Sequence, residues 1–301
     1  MACIISDYNR DLYNNMFDNG TSFSYISKVM NIKNLQAKPI GVFDSGIGGL
    51  TVVRALMKQL PHENIVYFGD TARVPYGPKS PQVIREYAAQ DTDFLMKHNV
   101  KMIVVACNTV SAVALEIVQK HSKVPVVGVI VPGAKAAVES TKKKRIGVIG
   151  TVGTINSNAY TNAIRQFDET ATVISQSCPL FVPLAEEGLI DHKATEIIAR
   201  EYLFPLKLKK IDTLVLGCTH YPILEKTIRS VFESGIILID SGEATAEEVE
   251  RVLIANDLRN SSSLKANIQF FVSDIPYRFT EIGERFLGQK LGRVRRAEGF
   301  F

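Results

Sequence analysis

The sequence predicts an α/β fold made of two related parallel-sheet halves, and three observations carry that prediction. Short apolar runs rich in β-branched residues recur at 40–43, 65–68, 102–106, 126–130, 145–149, 172–175, 214–217 and 236–239. Segments with helical apolar spacing, 50–60 and 111–119 among them, lie between many of these runs. Two local patterns occur twice at nearly the same offset. KMIVVACNTVS from Lys101 is echoed by IDTLVLGCTHYP from Ile211, and IGVFDSGIGGL from Ile40 by IGVIGTVGTI from Ile146. Strands that read as unbroken apolar runs are buried on both faces, as in a parallel sheet between helix layers. The echo points to two halves of about 100 residues each, an ordinary domain size.

Composition narrows the class. The chain has 301 residues, is 46% hydrophobic and 22% charged, and so has the make-up of a globular protein rather than a disordered or fibrous one. Its 35 Lys and Arg against 31 Asp and Glu leave a net charge of +4. The excess sits in two runs, Lys142 to Arg145 and Lys290, Arg293, Arg295 and Arg296. They read as solvated loop ends and a polar tail. A nucleic-acid partner is not expected, because neither aromatic interleaving nor a recognisable motif accompanies them. No membrane association is expected either: the most apolar stretch, 102–118, is interrupted by Asn108, Thr109, Ser111 and Glu116. Acidic and basic residues at Asp7, Arg10, Asp11 and Asp18 exclude a secretory signal, so four Cys suggest reduced thiols in a cytoplasmic protein.

The chemistry is expected at strand ends. In open parallel sheets ligands bind beyond the carboxyl ends of the strands. Cys107 and Cys218 both follow such strands, each before an expected helix whose free N–H groups favour a thiolate or a bound carboxylate. Two facing halves would then put one thiol on either side of a cleft. A single Cys after an apolar strand reads equally well as a buried core residue, but two in echoed positions do not. Cys3 reads as an exposed terminal thiol and Cys178 as a loop or core residue.

Other chemistries fit less well. Cys218 and His220 are the nearest approach to a metal pair, without the further ligands at zinc-site spacing, so no metal is expected. The turn Asp44 to Gly49 follows a strand, and Asp70 ends the next. A dinucleotide fingerprint starting at Gly46 would need Gly at 51, where Thr51 stands. The Gly run reads as a tight turn that points Asp44 and Ser45 into the cleft.

The motifs IGVFDSGIGGLTV, YFGDTARVPYG, VVACNTVS, IGVIGTVGT, CPLFVPLAEEG, LVLGCTHYP and IDSGEATA, in that order, resemble the glutamate racemase family, the cofactor-independent aspartate/glutamate racemase group. The resemblance covers residues 40–290. It implies two pseudosymmetric α/β domains with the active site in the cleft between them. The first would hold 40–131 plus 244–301 and the second 132–243. It implies interconversion of L- and D-glutamate without a cofactor, supplying D-glutamate for peptidoglycan. By the same analogy Cys107 takes the α-proton from D-glutamate and Cys218 from L-glutamate. Asn108, Thr109 and Thr219 are the candidate donors at the substrate carboxylate. Ser45, Tyr76, Gly77 and His220 match substrate contacts, and Asp44 and His220 look like proton helpers beside the two Cys. Thr151 and Thr154 lie within reach of the same substrate; Asp70 and Glu186 match acidic positions without an assigned proton-transfer role.

Residues 1–39 precede the first motif and lack sustained periodicity. Disorder, or a start at Met30, ranks ahead of a regulatory extension answering to a cell-wall precursor, although such an activator is one partner the resemblance allows. A homodimer is another. An aspartate or other amino-acid racemase remains the alternative enzyme, since one methylene discriminates by only about 1–3 kcal/mol. A non-catalytic binding protein is the alternative outside enzymes, and it would have no need of both Cys.

Overall fold

The computed structural model describes residues 33–232, 235–298 and 300. Of the N-terminal segment, residues 1–32, Cys3 and Met30 included, lie outside the described residues, whereas 33–37 are helical and the carbonyl of Gln36 accepts from Lys101 Nζ at 2.5 Å, so the expected disorder does not hold there. In chain order the elements are β1 (Ile40–Asp44), α1 (Leu50–Gln59), β2 (Ile65–Gly69), α2 (Pro81–Lys97), β3 (Met102–Val105), α3 (Asn108–Val113), α4 (Leu115–His121), β4 (Val126–Gly128) and α5 (Ile130–Ser140). They continue as β5 (Arg145–Gly150), α6 (Val152–Asn156), α7 (Ala159–Phe167), β6 (Thr172–Ser177), α8 (Phe181–Glu186), α9 (Lys193–Leu208), β7 (Thr213–Gly217), a 3-10 turn (Tyr221–Leu224) and α10 (Glu225–Val231). The chain closes with β8 (Ile237–Asp240), α11 (Ser241–Ala255), β9 (Ile268–Val272), α12 (Pro276–Leu287) and β10 (Val294–Arg296).

The strands form two parallel sheets, β10-β9-β2-β1-β3-β4 and β6-β5-β7-β8. In the centre of the first sheet Ile40 stands beside both Ile65 and Met102. Every residue of β1, β2, β3 and β7 is buried, which is why their sequences are continuous apolar runs without a polar face. Helix α1 buries Leu50, Val53 and Leu56 at spacings of three. Each such side chain removed from water contributes about 1.5–3 kcal/mol. One apolar cluster runs through both sheets, from Val42, Leu50 and Val104 to Leu216, Tyr221 and Val249. Helix α11, which follows the last strand of the second sheet, packs against both α1 and α5 and so sits between the two halves.

Some elements depart from the sequence reading. The run 126–130 is a strand only to Gly128, and Ile130 already begins α5. Pro132 falls in the first turn of that helix, where a missing N–H is harmless, and the apolar residues around it hide this start. The helix expected over 111–119 is two helices parted at Ala114, whose φ of −141° is not helical. Strand β9 went unnoticed, and the basic tail is in part an edge strand: β10 pairs with β9, with Arg295 and Arg296 exposed along it. Charged side chains on an edge discourage further strand addition. No helix among the described residues is long and apolar enough to cross a membrane.

Candidate active site

The turn after β1 sets the floor of the site. Asp44 is fully buried, and its Oδ2 accepts the amide of Gly46 at 3.0 Å. Its Oδ1 has no hydrogen-bond partner. Burial pushes the carboxyl up, an effect that the charge on His220 opposes. The segment is a turn, as expected, but its glycines are not there for left-handed backbone. Among the described residues the positive-φ glycines are Gly188, Gly235 and Gly288, none of them here. What the turn needs is thinness. A Cβ on Gly48 would stand 2.3 Å from Thr219 Oγ1 and 2.4 Å from His220 Nδ1, so the missing side chain lets β1's turn lie against the other half. Thr51 Oγ1 fastens that approach by donating to the carbonyl of Thr219 at 2.9 Å.

Cys107 ends the extension of β3 and is the N-cap residue of α3. Its Sγ donates to Ser45 Oγ at 3.6 Å. Burial and the neighbouring Asp44 push this thiol up to about 12, against the opposing hydrogen bonds from Val110 and Ser45. Asn108 follows it with a poised amide. Tyr160 Oη, from α7 of the second sheet, donates to Asn108 Oδ1 at 2.7 Å. Nδ2 is thereby left as a buried donor without a partner. Thr109 joins Thr151 and Thr154 in a hydroxyl cluster with separations of 2.9, 3.3 and 3.0 Å. Alongside it the amide of Gly153 donates to the carbonyl of Gly77 at 3.0 Å.

Cys218 follows β7. The α-helix expected directly after it is instead the 3-10 turn, which runs into α10. Its Sγ lies 3.8 Å from His220 Nδ1, and His220 Nε2 lies 2.9 Å from Glu186 Oε1 at the end of α8. Burial alone would lower the imidazole. The hydrogen bonds to Cys218 and Glu186 outweigh it and bring His220 up to about 10. Near neutral pH the ring is therefore an imidazolium held between a sulfur and a carboxylate.

Ser45, Tyr76, Gly77, Cys107, Asn108, Thr109, Cys218, Thr219 and His220 all line one cavity of about 40 Å³, together with Thr151, Val182 and Glu186. Of the residues singled out from sequence, Asp44 does not line it and sits beneath. Thr154 is buried behind Thr109 and Thr151. Tyr76 contributes its ring and backbone, because its hydroxyl bonds to Asp70 and, at 3.2 Å, to Asp91. Arg73 binds both of those carboxylates. The role of Tyr160 was missed, since nothing in its local sequence marks it. Glu186 belonged to a matching motif, but only the fold shows that it holds His220. At about 10–15 Å³ per water, the cavity has room for a few waters.

Two thiols at strand ends of the two sheets, Cys107 and Cys218, thus line one small cavity together with amide and hydroxyl groups. Residues 40–249 match the Asp/Glu/Hydantoin racemase family, and the chain belongs to that family. The glutamate racemase of Chlorobaculum tepidum is 58% identical over 257 residues, 85% of this chain and 94% of that protein. A Francisella tularensis glutamate racemase in complex with D-glutamate superposes with a TM-score of 0.82 at 42% identity, over 87% of this chain and 98% of that one. An Escherichia coli glutamate racemase, in complex with L-glutamate and the activator UDP-MurNAc-Ala, gives 0.73 at 29% identity over 86% and 98%. The protein is thus an amino-acid racemase, which sets aside the non-catalytic reading.

Proposed function

We propose that this racemase interconverts L- and D-glutamate without a cofactor, with Cys107 and Cys218 as the two bases. The observation that carries the reading is that both thiols line one cavity with different partners, Ser45 and Asp44 on one side and His220 with Glu186 on the other. In a two-base inversion one sulfur holds a proton that the other lacks, and unlike neighbours favour that division.

For L-glutamate, Cys218 removes the α-proton and Cys107 delivers one to the opposite face; for D-glutamate the roles reverse. With its thiol pushed up to about 12, Cys107 carries a proton at rest and is set to donate. The ring of His220, 3.8 Å from Cys218 Sγ, can exchange a proton with it. The Cα–H bond is weakly acidic, so the negative charge that develops at the carboxylate must meet donors already in place. Asn108 Nδ2 is one, held ready by Tyr160, and the hydroxyl of Thr219 is another. Ser45 and the backbone at Tyr76 and Gly77 bound the rest of the pocket. Supply of D-glutamate to peptidoglycan, in the cytoplasm, is the biological role that fits this reaction.

The test is incubation of the protein with L-glutamate in D₂O, with no cofactor added. Loss of the amino acid's circular dichroism together with deuterium at Cα is the expected result. An inert L-glutamate beside a racemised L-aspartate would transfer the reading to aspartate. Adding the cell-wall precursor UDP-MurNAc-Ala to the same assay tests for an activator, and sedimentation tests for a homodimer.

A further inference from the structure

Helix α8 ends in a Schellman motif. The amide of Leu189 donates to the carbonyl of Leu184 at 2.9 Å and that of Gly188 to Ala185 at 3.2 Å, with Gly188 left-handed at φ +75°. Into this end reaches a cation from the other half of the molecule. Arg285 of α12 donates through Nη1 to the carbonyls of Ala185 at 3.4 Å and Glu186 at 3.3 Å. A Cβ on Gly188 would lie only 2.9 Å from the same guanidinium, so the glycine both allows the turn and leaves room for the arginine. The next residue on α12, Phe286, sets its ring edge-on to His220 with centroids 5.2 Å apart. Two consecutive residues of α12 therefore touch the two ends of the Glu186–His220 pair.

We propose that Arg285 is a positioning residue for racemisation, holding the end of α8 so that Glu186 stays on His220 beside Cys218. The inference rests on the two-cysteine reading. A charge at a helix C-terminus satisfies carbonyls that lack intrahelical partners and complements the helix dipole. Here Arg285 comes from the other half of the molecule and adds a donor to the carbonyl of Glu186 and to that of Ala185, which also accepts from Gly188. Arg285 is exposed too, but its partners are main-chain carbonyls at the helix end, whereas Arg278, on the same helix, pairs at 3.4 Å with the Glu187 side chain, with 57% and 65% of the two side chains accessible. Exposed pairs of that kind contribute little.

The experiment is a cycle of Arg285→Ala, Glu186→Gln and the double variant, with Arg285→Lys, Arg278→Gln and Cys218→Ser alongside. The expected result is a fall of about tenfold in kcat for Arg285→Ala, with KM nearly unchanged, and less than about twofold further loss when it is added to Glu186→Gln, since groups acting through one another are not additive. Arg285→Lys should recover part of the rate and Arg278→Gln should leave it unchanged. Full additivity in the cycle, or a lost rate that Lys does not recover at all, overturns the proposal. So does an unchanged kcat in Arg285→Ala while Cys218→Ser is inactive. Full activity in Cys218→Ser would instead bring down the two-cysteine reading itself.

Discussion

Tyr160 donates its hydroxyl proton to the side-chain carbonyl of Asn108 at 2.7 Å, tying α7 of the second sheet to the start of α3 in the first. That bond fixes the orientation of the amide, because an oxygen occupied by the phenol leaves the nitrogen as the donor without a partner. The ring itself also fills space against Gly133 and Gly217. Tyr160→Phe keeps the packing and removes only the orientation. It should lower kcat by about tenfold, the loss of one oriented donor being at the modest end of such effects, with melting temperature nearly unchanged. Racemisation followed by circular dichroism, beside a thermal melt, checks both halves of the claim.

Gly48→Ala should damage activity far more than stability. The added methyl meets Thr219 Oγ1 and the His220 ring, both of which belong to the site. Displacing catalytic groups by about 1 Å can cost on the order of a hundredfold in rate. A variant that melts like wild type and keeps full kcat/KM would show that the turn tolerates the methyl.

His220 predicts a pH dependence of stability. Its folded value of about 10 lies above the unfolded value of about 6.5. The folded state therefore holds the proton more tightly. Its contribution is complete below the unfolded value and is lost as pH rises through the folded one. Melting temperature should decline between about pH 6.5 and pH 10, and the decline should be shallower in His220→Asn. Parallel curves for the two proteins would mean that His220 is not the group responsible.

Cys178 is fully buried, with Sγ 3.7 Å from the carbonyl of Gln176, and it does not line the cavity. Cys178→Ala should cost about 1 kcal/mol of stability, as for other small deletions in a core, and should leave kcat within twofold. Loss of racemisation in this variant would contradict the assignment of chemistry to Cys107 and Cys218.

Much of this was legible in the sequence because it follows from local rules. Unbroken apolar runs such as those at Phe43 and Val104 read as doubly buried strands, which those two are, and chemistry in a parallel sheet collects at strand ends, where Cys107 and Cys218 stand. Boundaries failed where local signals conflict, as at Ile130, apolar enough for a strand but preceding a helix-compatible Pro132. Strand β10 was hidden because an edge strand is exposed, so Arg295 and Arg296 carry no apolar pattern to read. The site was legible where a residue sits inside a motif. It was not where a partner arrives from a distant segment, as Tyr160 does to Asn108 and Arg285 to Glu186 from the other half of the chain, and Glu186 to His220 within the second half. Those contacts are made by tertiary approach, and no spacing along the chain encodes them.

The most direct test of the two-base account is the rate of racemisation of L- and D-glutamate by Cys107→Ser and by Cys218→Ser, with Cα deuterium in D₂O measured in the same samples. A serine hydroxyl is a far poorer base than a thiolate, so each variant should lose at least about a hundredfold in kcat in both directions, while its fold and its melting temperature persist. Near-wild-type racemisation by either variant would contradict the central claim, because a two-base inversion cannot proceed with one base.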